Sequence, residues 1–240
     1  LYFNGIRSLF KVFIPALKRF DFFAAQKPDY LIANSKFVQN WIKKTYKRES
    51  TLIYPPVDIE KFELEEIKED YYVTVGRIVK YKRFDILVEV FNTLKDKRLL
   101  IIGDGDQRLM LERISGKNIS FLGYKNQEGV KKYISRAKGF IFAGVEDFGI
   151  APVEAQACGT PVIALNKAGT AETVKDGLTG ICFNHQTKED VIQAINRFEK
   201  IYKSFNPITI RNHALQFSSE RFETEIKEFI EEKYNDFSKQ

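Results

Sequence analysis

The chain has 240 residues, of which 44% are hydrophobic and 29% charged, an ordinary globular composition with room for one large or two small domains. Lysine and arginine outnumber aspartate and glutamate by 38 to 32, and the resulting net charge of +6 suits an anionic ligand or a membrane surface. The sequence holds no nucleic-acid-binding motif and no apolar run of about 18 residues, so neither a nucleic-acid partner nor a membrane-spanning helix is expected.

The amino-terminal segment has apolar residues at helical spacing. Residues 1–5 resemble the remnant of a protease-cleavage tag, so they are left out of the fold prediction. In residues 6–27 one helix face carries Leu9, Phe10, Phe13, Ile14, Leu17 and Phe20. Pro15 interrupts this pattern, so a kink or two short helices are expected. The face either packs on a lobe of the protein or, because basic residues are interleaved, lies on a membrane surface.

The next segment predicts two short strands, one helix and a linker. Residues 30–33 and 51–54 are apolar runs of strand length. Between them, Ser35 is placed to cap a helix over 36–47. The inward face of this helix is expected to carry Phe37, Val38, Trp41 and Ile42. The acidic and polar segment 60–70 predicts a linker between domains.

From residue 71 short apolar runs alternate with segments of helical spacing. The predicted strands are 72–75, 99–102, 119–122, 139–143, 161–164 and 180–183. The predicted helices are 84–95, 107–115, 126–137, 170–175 and 187–203, and the charged tail 207–240 is also helical. This alternation predicts an α/β fold with a doubly wound, Rossmann-like parallel sheet. Ligands of such sheets bind beyond the carboxyl ends of the strands, where this sequence places Gly76, Gly103, Gly123 and Gly144.

The segment from Glu146 to Glu154, EDFGIAPVE, follows an apolar strand and is the strongest candidate for a binding site. Gly149 and Pro152 are typical of a turn that opens into a helix. The free amides and the positive dipole at such a helix terminus attract phosphates. The two carboxylates are then expected to face one ligand, as acceptors for sugar or ribose hydroxyls. On spacing alone, two helix-end charges are the alternative interpretation.

A second candidate is the glycine turn GRIVKYK, which follows the first strand of the alternation. Gly76 lets the chain pass close to a ligand, and Arg77 and Lys82 are expected to project cations toward it. Two cations beside a diphosphate stabilise the charge that develops as a sugar–phosphate bond breaks. A solvated basic turn is the alternative.

Two other patterns exclude some chemistries. The GDGD turn at 103–106 lacks the full GxGxxG pattern, so it predicts a tight turn with Asp106 as a helix cap, and no dinucleotide site. The sequence has neither an Asp-x-Asp after an apolar strand nor a cluster with metal-ligand spacing, so no metal is expected.

The form EDFGIAPVEAQACGTPVIA resembles the Glu-x7-Glu hallmark of retaining glycosyltransferases of family 4. The phrases ANSKFVQNWI and IYPPVDIEKF resemble the end of the amino-terminal lobe in that family, and the likeness covers about residues 28–230. It implies the GT-B architecture, in which two Rossmann-like lobes face each other across a cleft. Residues 67–206 then form the nucleotide-sugar-binding lobe, 1–66 the end of the acceptor lobe with the linker, and 207–240 a helix that returns to the first lobe.

The resemblance also implies a role for individual residues. The implied donor-binding residues are Gly76, Arg77, Lys82, Tyr124, Lys125, Glu146, Phe148, Gly149, Ile150 and Glu154. Among them, Arg77 and Lys82 hold the diphosphate, Glu146 meets the sugar, and these three are the implied catalytic residues. Glu154 binds the ribose, and Tyr124 or Lys125 lies near the nucleobase. No cofactor and no metal are implied. The family often has two glycines where this chain has Ala-Gly at 168–169, a departure that bears on how tight that turn is.

The implied reaction is transfer of a hexose from a nucleoside diphosphate sugar to a saccharide or lipid-linked acceptor, with retention of configuration. The motifs look most like those of bacterial mannosyltransferases that use GDP-mannose for surface polysaccharide, which implies the cytoplasm, at the inner face of the membrane, with a peripheral membrane contact. Residues 1–240 alone are expected to be inactive because most of the acceptor lobe is missing from them. The alternatives are a UDP-sugar transferase of the same family, a GT-B epimerase or phosphorylase, and a nucleotide-sugar-binding module without activity.

Overall fold

The structure, a computed structural model, describes the backbone of residues 2–238 and the side chains of residues 13–238. The chain divides into two compact units, Leu1–Ile53 and Tyr54–Gln240, called here the amino-terminal and the carboxyl-terminal unit. The sequence placed the first boundary after residue 66, so the segment 54–66 lies in the other unit from the one expected.

The amino-terminal unit holds two helices and two very short strands. Its elements are α1 (Tyr2–Ala24), β1 (Ile32–Ala33), α2 (Lys36–Tyr46) and β2 (Thr51–Leu52), and the two strands are parallel. The Ser35 hydroxyl accepts a hydrogen bond from the Val38 amide at 3.1 Å, as expected for a helix cap. Of the two alternatives expected at Pro15, two short helices are wrong, because α1 is one continuous helix. A proline removes only its own amide from the helical hydrogen bonds, and the bonds of the neighbouring turns continue the helix.

Apolar side chains of this unit are more exposed than the sequence predicted. Ile42 is buried, whereas Phe37 and Trp41 of the expected inward face are exposed. In α1 the side chains of Phe13 and Phe20 are also exposed. Among the residues that the structure describes, none of the helices has both the length and the apolar composition of a membrane span.

The carboxyl-terminal unit is built on a six-stranded, fully parallel sheet. The strands are β3 (Glu69–Val75), β4 (Leu99–Ile102), β5 (Ile119–Gly123), β6 (Ala137–Phe142), β7 (Val162–Leu165) and β8 (Gly180–Phe183). Their order in the sheet is β5-β4-β3-β6-β7-β8. The chain moves outward from β3 to β5 and then crosses to the other side of β3, so the topological switch point lies between β3 and β6. The predicted doubly wound sheet is confirmed.

Helices connect the strands and cover the sheet. They are α3 (Phe84–Thr93), α4 (Arg108–Ile114), α5 (Gln127–Arg136), α6 (Ile150–Ala157), α7 (Thr170–Thr173), α8 (Lys188–Ile201), α9 (Pro207–Ala214) and α10 (Ser219–Ser238). Two hydrophobic clusters result: one packs Phe91 and Phe198 against the strands, and the other packs Phe140, Phe148 and Phe217. Because buried side chains alternate between these clusters, the sheet is covered on both faces, which explains the continuous apolar runs of its strands.

Three local expectations differ from the structure. The acidic segment predicted as a linker packs into the carboxyl-terminal unit, because Phe62 is buried and the Lys68 ammonium donates to the carbonyls of Ser135 and Cys158. The tail is two helices, α9 and α10, rather than one. Asp106 does not cap α4, because that helix begins two residues later, after Gln107.

Candidate functional site

The two candidate loops meet at the switch point of the sheet. One follows β3 and carries Gly76, Arg77 and Lys82, and the other follows β6 and carries Glu146. β3 and β6 are paired neighbours in the sheet, so their carboxyl ends lie side by side. The Lys82 Nζ is 2.8 Å from the Glu146 Oε1, and the two side chains are only 16% and 24% exposed. The structure therefore pairs Lys82, predicted to bind the diphosphate, with Glu146, predicted to bind the sugar. The sequence did not predict this contact.

Two glycines make room for Lys82 between the loops. A Cβ added to Gly76 would lie 3.1 Å from the Lys82 Nζ, and one added to Gly144 would lie 3.2 Å from the Lys82 Cα. Gly76 also has φ +152°, a backbone conformation that side chains other than glycine rarely adopt. Lys82 thus packs against the chain after β3 at Gly76 and after β6 at Gly144. A larger residue at either position would require its neighbours to shift.

The GDGD turn supports the Gly76–Lys82 loop from the next strand. A Cβ on Gly103 would lie 1.9 Å from the carbonyl oxygen of Gly76, and one on Gly105 would lie 2.3 Å from that of Ile78. The Ile78 amide also donates to the Asp104 carbonyl at 2.9 Å. The sequence predicted the tight turn but missed this supporting role, for which the only signal was a Gly-x-Gly at the end of a second strand.

The loop after β6 opens into α6 as predicted. Gly149 has φ +88° and precedes the first residue of the helix, Ile150, whose side chain is 47% exposed. Pro152 lies in the first turn, where its missing amide costs no helical hydrogen bond. The first amides of a helix have no partner within it, and the helix dipole adds positive potential there. This terminus is therefore suited to a phosphate or another anion.

The turn after β7 supports the same loop. The Gly169 amide donates to the Glu146 carbonyl at 2.9 Å. A Cβ on Gly169 would lie 2.1 Å from the carbonyl oxygen of Phe148, so a side chain does not fit. Ala168 keeps the turn tight without the second glycine, because it adopts φ +55°. A non-glycine residue in this left-handed conformation is strained by roughly 1–2 kcal/mol.

Replacing Ala168 with glycine is accordingly expected to raise the free energy of unfolding by about 0.5–1 kcal/mol. The strain relieved exceeds the entropy that glycine adds to the unfolded chain. Urea denaturation of the variant and the parent measures the difference. The matched control is Ala194→Gly in α8, another buried alanine, which is expected to lower the same free energy by about 1 kcal/mol because the helix is disfavoured by glycine. A decrease in both variants would contradict the strain at residue 168.

Glu154 is a half-buried carboxylate on α6. Burial raises the pKa of this group above its ordinary value. In the described part of the chain no side chain donates a hydrogen bond to it and no cation pairs with it. Taking an unpaired charge out of water is unfavourable, so the carboxylate is poised to accept hydrogen bonds from a ligand.

The other predicted residues are more exposed. Arg77 directly follows Gly76 and is exposed, with no ion pair among the described residues. Tyr124 and Lys125 follow β5, the strand at the edge of the sheet, and Tyr124 is 78% exposed. Tyr124 and Lys125 lie beyond the carboxyl ends of the strands, as Lys82 does. They are displaced sideways from Lys82, because β4 separates β5 from β3. Among the described residues there is no group of three His, Cys, Asp or Glu placed to hold a metal ion.

The geometry defines a class of protein: a Rossmann-like lobe whose switch point carries a helix amino terminus and a mostly buried lysine–glutamate ion pair. The family model described as "Glycosyl transferases group 1" matches residues 57–210. The chain belongs to this family.

Relatives of known sequence agree with this assignment. An uncharacterized glycosyltransferase of Methanocaldococcus jannaschii is 29% identical over 186 residues, covering 74% of this chain and 52% of the relative. The N-acetylgalactosamine-N,N'-diacetylbacillosaminyl-diphospho-undecaprenol 4-alpha-N-acetylgalactosaminyltransferase of Campylobacter jejuni is 28% identical and covers 89% and 65%. The alpha-1,3/1,6-mannosyltransferase ALG2 of Saccharomyces cerevisiae is 23% identical and covers 73% and 45%. The chain spans about half the length of the first curated relatives it matches.

The fold is shared with solved GT-B glycosyltransferases. The Anabaena protein HepE, solved in complex with UDP and glucose, superposes with a TM-score of 0.78 at 20% identity, covering 87% of this chain and 64% of that protein. At this identity the likeness shows the fold alone. It confirms the sequence prediction of a Rossmann-like GT-B lobe.

Proposed function

We propose that the carboxyl-terminal unit binds a nucleoside diphosphate sugar and that the protein transfers the hexose to a saccharide or lipid-linked acceptor. The observation that carries this proposal is the Lys82–Glu146 ion pair, 2.8 Å long and mostly buried, beside the free amino terminus of α6. A cation, a helix terminus and a carboxylate match the diphosphate and the hydroxyls of such a donor in one place. Family membership supports the proposal.

Each group has a role in this proposal. Lys82 and the exposed Arg77 hold the diphosphate, and the amides at the start of α6 add donors to its oxygens. Glu146 accepts hydrogen bonds from the sugar. Glu154, with its unpaired carboxylate, accepts hydrogen bonds from the ribose hydroxyls. Tyr124 and Lys125 lie toward the nucleobase, since they follow the edge strand β5.

We propose transfer with retention of configuration. The acceptor oxygen bonds to the anomeric carbon on the face from which the diphosphate leaves, and the acceptor proton passes to the departing phosphate oxygen. Negative charge grows on the diphosphate as the sugar–oxygen bond breaks, and Arg77 and Lys82 stabilise it there. This route requires no nucleophile from the carboxyl-terminal unit.

GDP-mannose is the proposed donor, and a UDP-sugar is the alternative. The similarity to a mannosyltransferase supports the first, and the second stays the alternative that the sequence left open. A lipid-linked acceptor would place the protein at the inner face of a membrane. The exposed apolar side chains of α1, among them Phe13, Leu17 and Phe20, support a peripheral contact there.

Calorimetry with GDP and UDP, each with and without EDTA, tests the proposal. We expect GDP to bind more tightly than UDP and EDTA to leave both affinities unchanged, because protein cations and a helix terminus already match the phosphates. Tighter binding of UDP would transfer the proposal to a UDP-sugar donor. Loss of binding with EDTA would overturn the metal-free role of Arg77 and Lys82, and no binding of either nucleotide would overturn the site itself.

A binding module without activity is the second candidate. It is favoured by Arg77, a predicted catalytic residue that is exposed and has no ion pair among the described residues. Nucleotide-sugar binding that never leads to release of the nucleoside diphosphate, with any acceptor, would distinguish this module from a transferase.

A further inference from the structure

Tyr54, the first residue of the carboxyl-terminal unit, contacts two supports of the loop that carries Glu146. The first is a cluster of buried aromatic rings, and the second is helix α7. The ring centroid of Tyr54 lies 5.7 Å from that of Phe148 and 5.3 Å from that of Phe217, and the two phenylalanine rings are themselves 5.3 Å apart. These three residues form a closed set of contacts, called here the aromatic triangle. Phe148 belongs to the loop between Glu146 and α6, and its side chain is 4% exposed. The triangle therefore fixes the loop from within the core.

The hydroxyl of Tyr54 reaches the second support of the loop. It donates to the Glu172 Oε2 at 3.0 Å. Glu172 lies on α7, and its amide donates to the carbonyl of Gly169. Gly169 in turn donates to the Glu146 carbonyl and lies directly against the Phe148 backbone. The Tyr54 side chain thus contacts both Phe148, in the loop itself, and α7, which follows the turn that holds the Glu146 backbone.

Three observations set the Tyr54–Glu172 hydrogen bond apart from an ordinary surface contact. The tyrosine is half-buried, and burial together with this bond raises its pKa to about 12, so the hydroxyl keeps its proton and donates at neutral pH. The acceptor is a carboxylate, and hydrogen bonds to charged groups are the stronger ones. The residues it links are 118 positions apart in the chain, so the bond ties separate elements together.

We propose that Tyr54 is a positioning residue for the donor sugar: its ring holds Phe148 and its hydroxyl holds Glu172, and these two contacts together keep Glu146 in position. This inference rests on the proposed function, in which Glu146 accepts hydrogen bonds from the sugar. In the proposed function the diphosphate and the ribose are also held by Arg77, Lys82 and Glu154, which lie outside the loop from Glu146 to Gly149. A displacement of this loop therefore weakens mainly the contact of Glu146 with the sugar. Small displacements of a positioned group weaken its interactions strongly.

The test is Tyr54→Phe, which removes the hydroxyl and keeps the ring. Tyr72→Phe is a closely matched control, because the Tyr72 hydroxyl donates to the Glu199 carboxylate and its ring packs against Phe91 and Phe198. Tyr72 lies within β3, four positions before Gly76. Both variants thus lose one tyrosine–glutamate hydrogen bond next to two phenylalanines, but only Tyr54 contacts the loop of Glu146.

Calorimetry is run on the full chain with GDP, UDP, GDP-mannose and UDP-glucose. We expect Tyr54→Phe to lower the affinity for the preferred sugar nucleotide by about three- to tenfold. Its affinity for the matching free nucleotide is expected to change less than twofold. Tyr72→Phe is expected to change neither. Equal weakening of sugar nucleotide and nucleotide, or the same pattern in both variants, would show that Tyr54 has only a structural role and would overturn the proposal.

Hydrogen exchange separates this proposal from the proposed function. In the unliganded protein, peptides over residues 144–157 and 165–174 are expected to exchange about three- to tenfold faster in Tyr54→Phe and unchanged in Tyr72→Phe. If no nucleotide binds but this difference appears, the function fails while the positioning of the loop by Tyr54 holds. If exchange over both segments is the same in the variant and the parent, the positioning proposal is wrong whether or not a nucleotide binds.

Discussion

Replacing Lys82 with alanine is expected to weaken the binding of the nucleoside diphosphate by about 10- to 100-fold. A hydrogen bond to a charged group contributes about 1.5–3 kcal/mol, and each ~1.4 kcal/mol is a factor of ten in affinity. The loss has a second component, because Glu146 is only 24% exposed and pairs with Lys82 at 2.8 Å. Without the lysine its carboxylate remains unpaired beside the diphosphate, and the two like charges repel.

The second component can be isolated with the double variant Lys82→Ala/Glu146→Gln. Because glutamine removes the unpaired charge, we expect the double variant to bind the free nucleoside diphosphate more tightly than Lys82→Ala alone. The effect of Glu146→Gln in the Lys82→Ala variant, minus its effect in the parent, measures how the two side chains are coupled. If the two variants bind equally, the carboxylate does not act on the diphosphate, and the ion pair has no role in nucleotide binding.

Lys138 and Glu199 offer a matched control for this experiment. Their ion pair is also 2.8 Å long, with side chains 17% and 25% exposed. Lys138 lies near the amino end of β6, whereas the candidate site lies beyond the carboxyl end of that strand. Lys138→Ala is therefore expected to lower stability to a similar extent as Lys82→Ala and to leave nucleotide affinity unchanged. Loss of affinity in both variants would assign the effect of Lys82 to stability.

The fold was predictable because its signals are local. Parallel strands covered on both faces are continuous apolar runs, and four of the six runs here, those of β3 to β6, have a glycine at or just after the strand end. The helix caps at Ser35 and the turn at Gly149 also depend on neighbouring residues alone. Those features lie within reach of a sequence pattern.

The contacts that complete the site are not local. Lys82 and Glu146 are 64 positions apart, and they meet because β6 crosses to the other side of β3, a choice that no single segment encodes. The roles of Gly103 and Gly105 were missed for the same reason, since a glycine required by a neighbouring backbone looks like any turn glycine. The exposed Phe37 and Trp41 show the limit of periodicity, which identifies an apolar face but does not show what covers it.

Glu154→Gln and Glu146→Gln are expected to have different effects on ligand binding. Ribose is present in both the nucleotide and the sugar nucleotide, so Glu154→Gln should lower the affinity for both ligands alike, by roughly 10- to 100-fold. The sugar is present only in the donor, so Glu146→Gln should weaken the sugar nucleotide and leave the free nucleotide nearly unchanged. Because glutamine keeps the shape and one acceptor oxygen, we expect values near the lower end of the range.

Glu154→Gln has a second expected effect, on stability without ligand. Burial raises the pKa of Glu154, so at pH values between its ordinary and its raised pKa the folded chain holds a proton that the unfolded chain has released. The contribution of this group to stability is therefore lost as pH rises through that interval, and the ionised carboxylate disfavours the folded state above it. Glutamine carries no charge, so the variant is expected to unfold at or above the parent's temperature at pH 7 and to lack this pH dependence.

Higher stability combined with weaker binding is the signature of a residue whose position serves a ligand. A helix-end charge behaves in the opposite way, because its removal lowers stability slightly and leaves affinity unchanged. Paired titrations of both variants with nucleotide and sugar nucleotide, together with thermal unfolding without ligand, decide between the two. Glu199→Gln, at a partly buried glutamate away from the site that pairs with Lys138, is the control for the substitution in the binding titrations. If Glu154 and Glu146 give the same binding pattern, or neither changes any affinity, the assignment of ribose to one and sugar to the other is wrong.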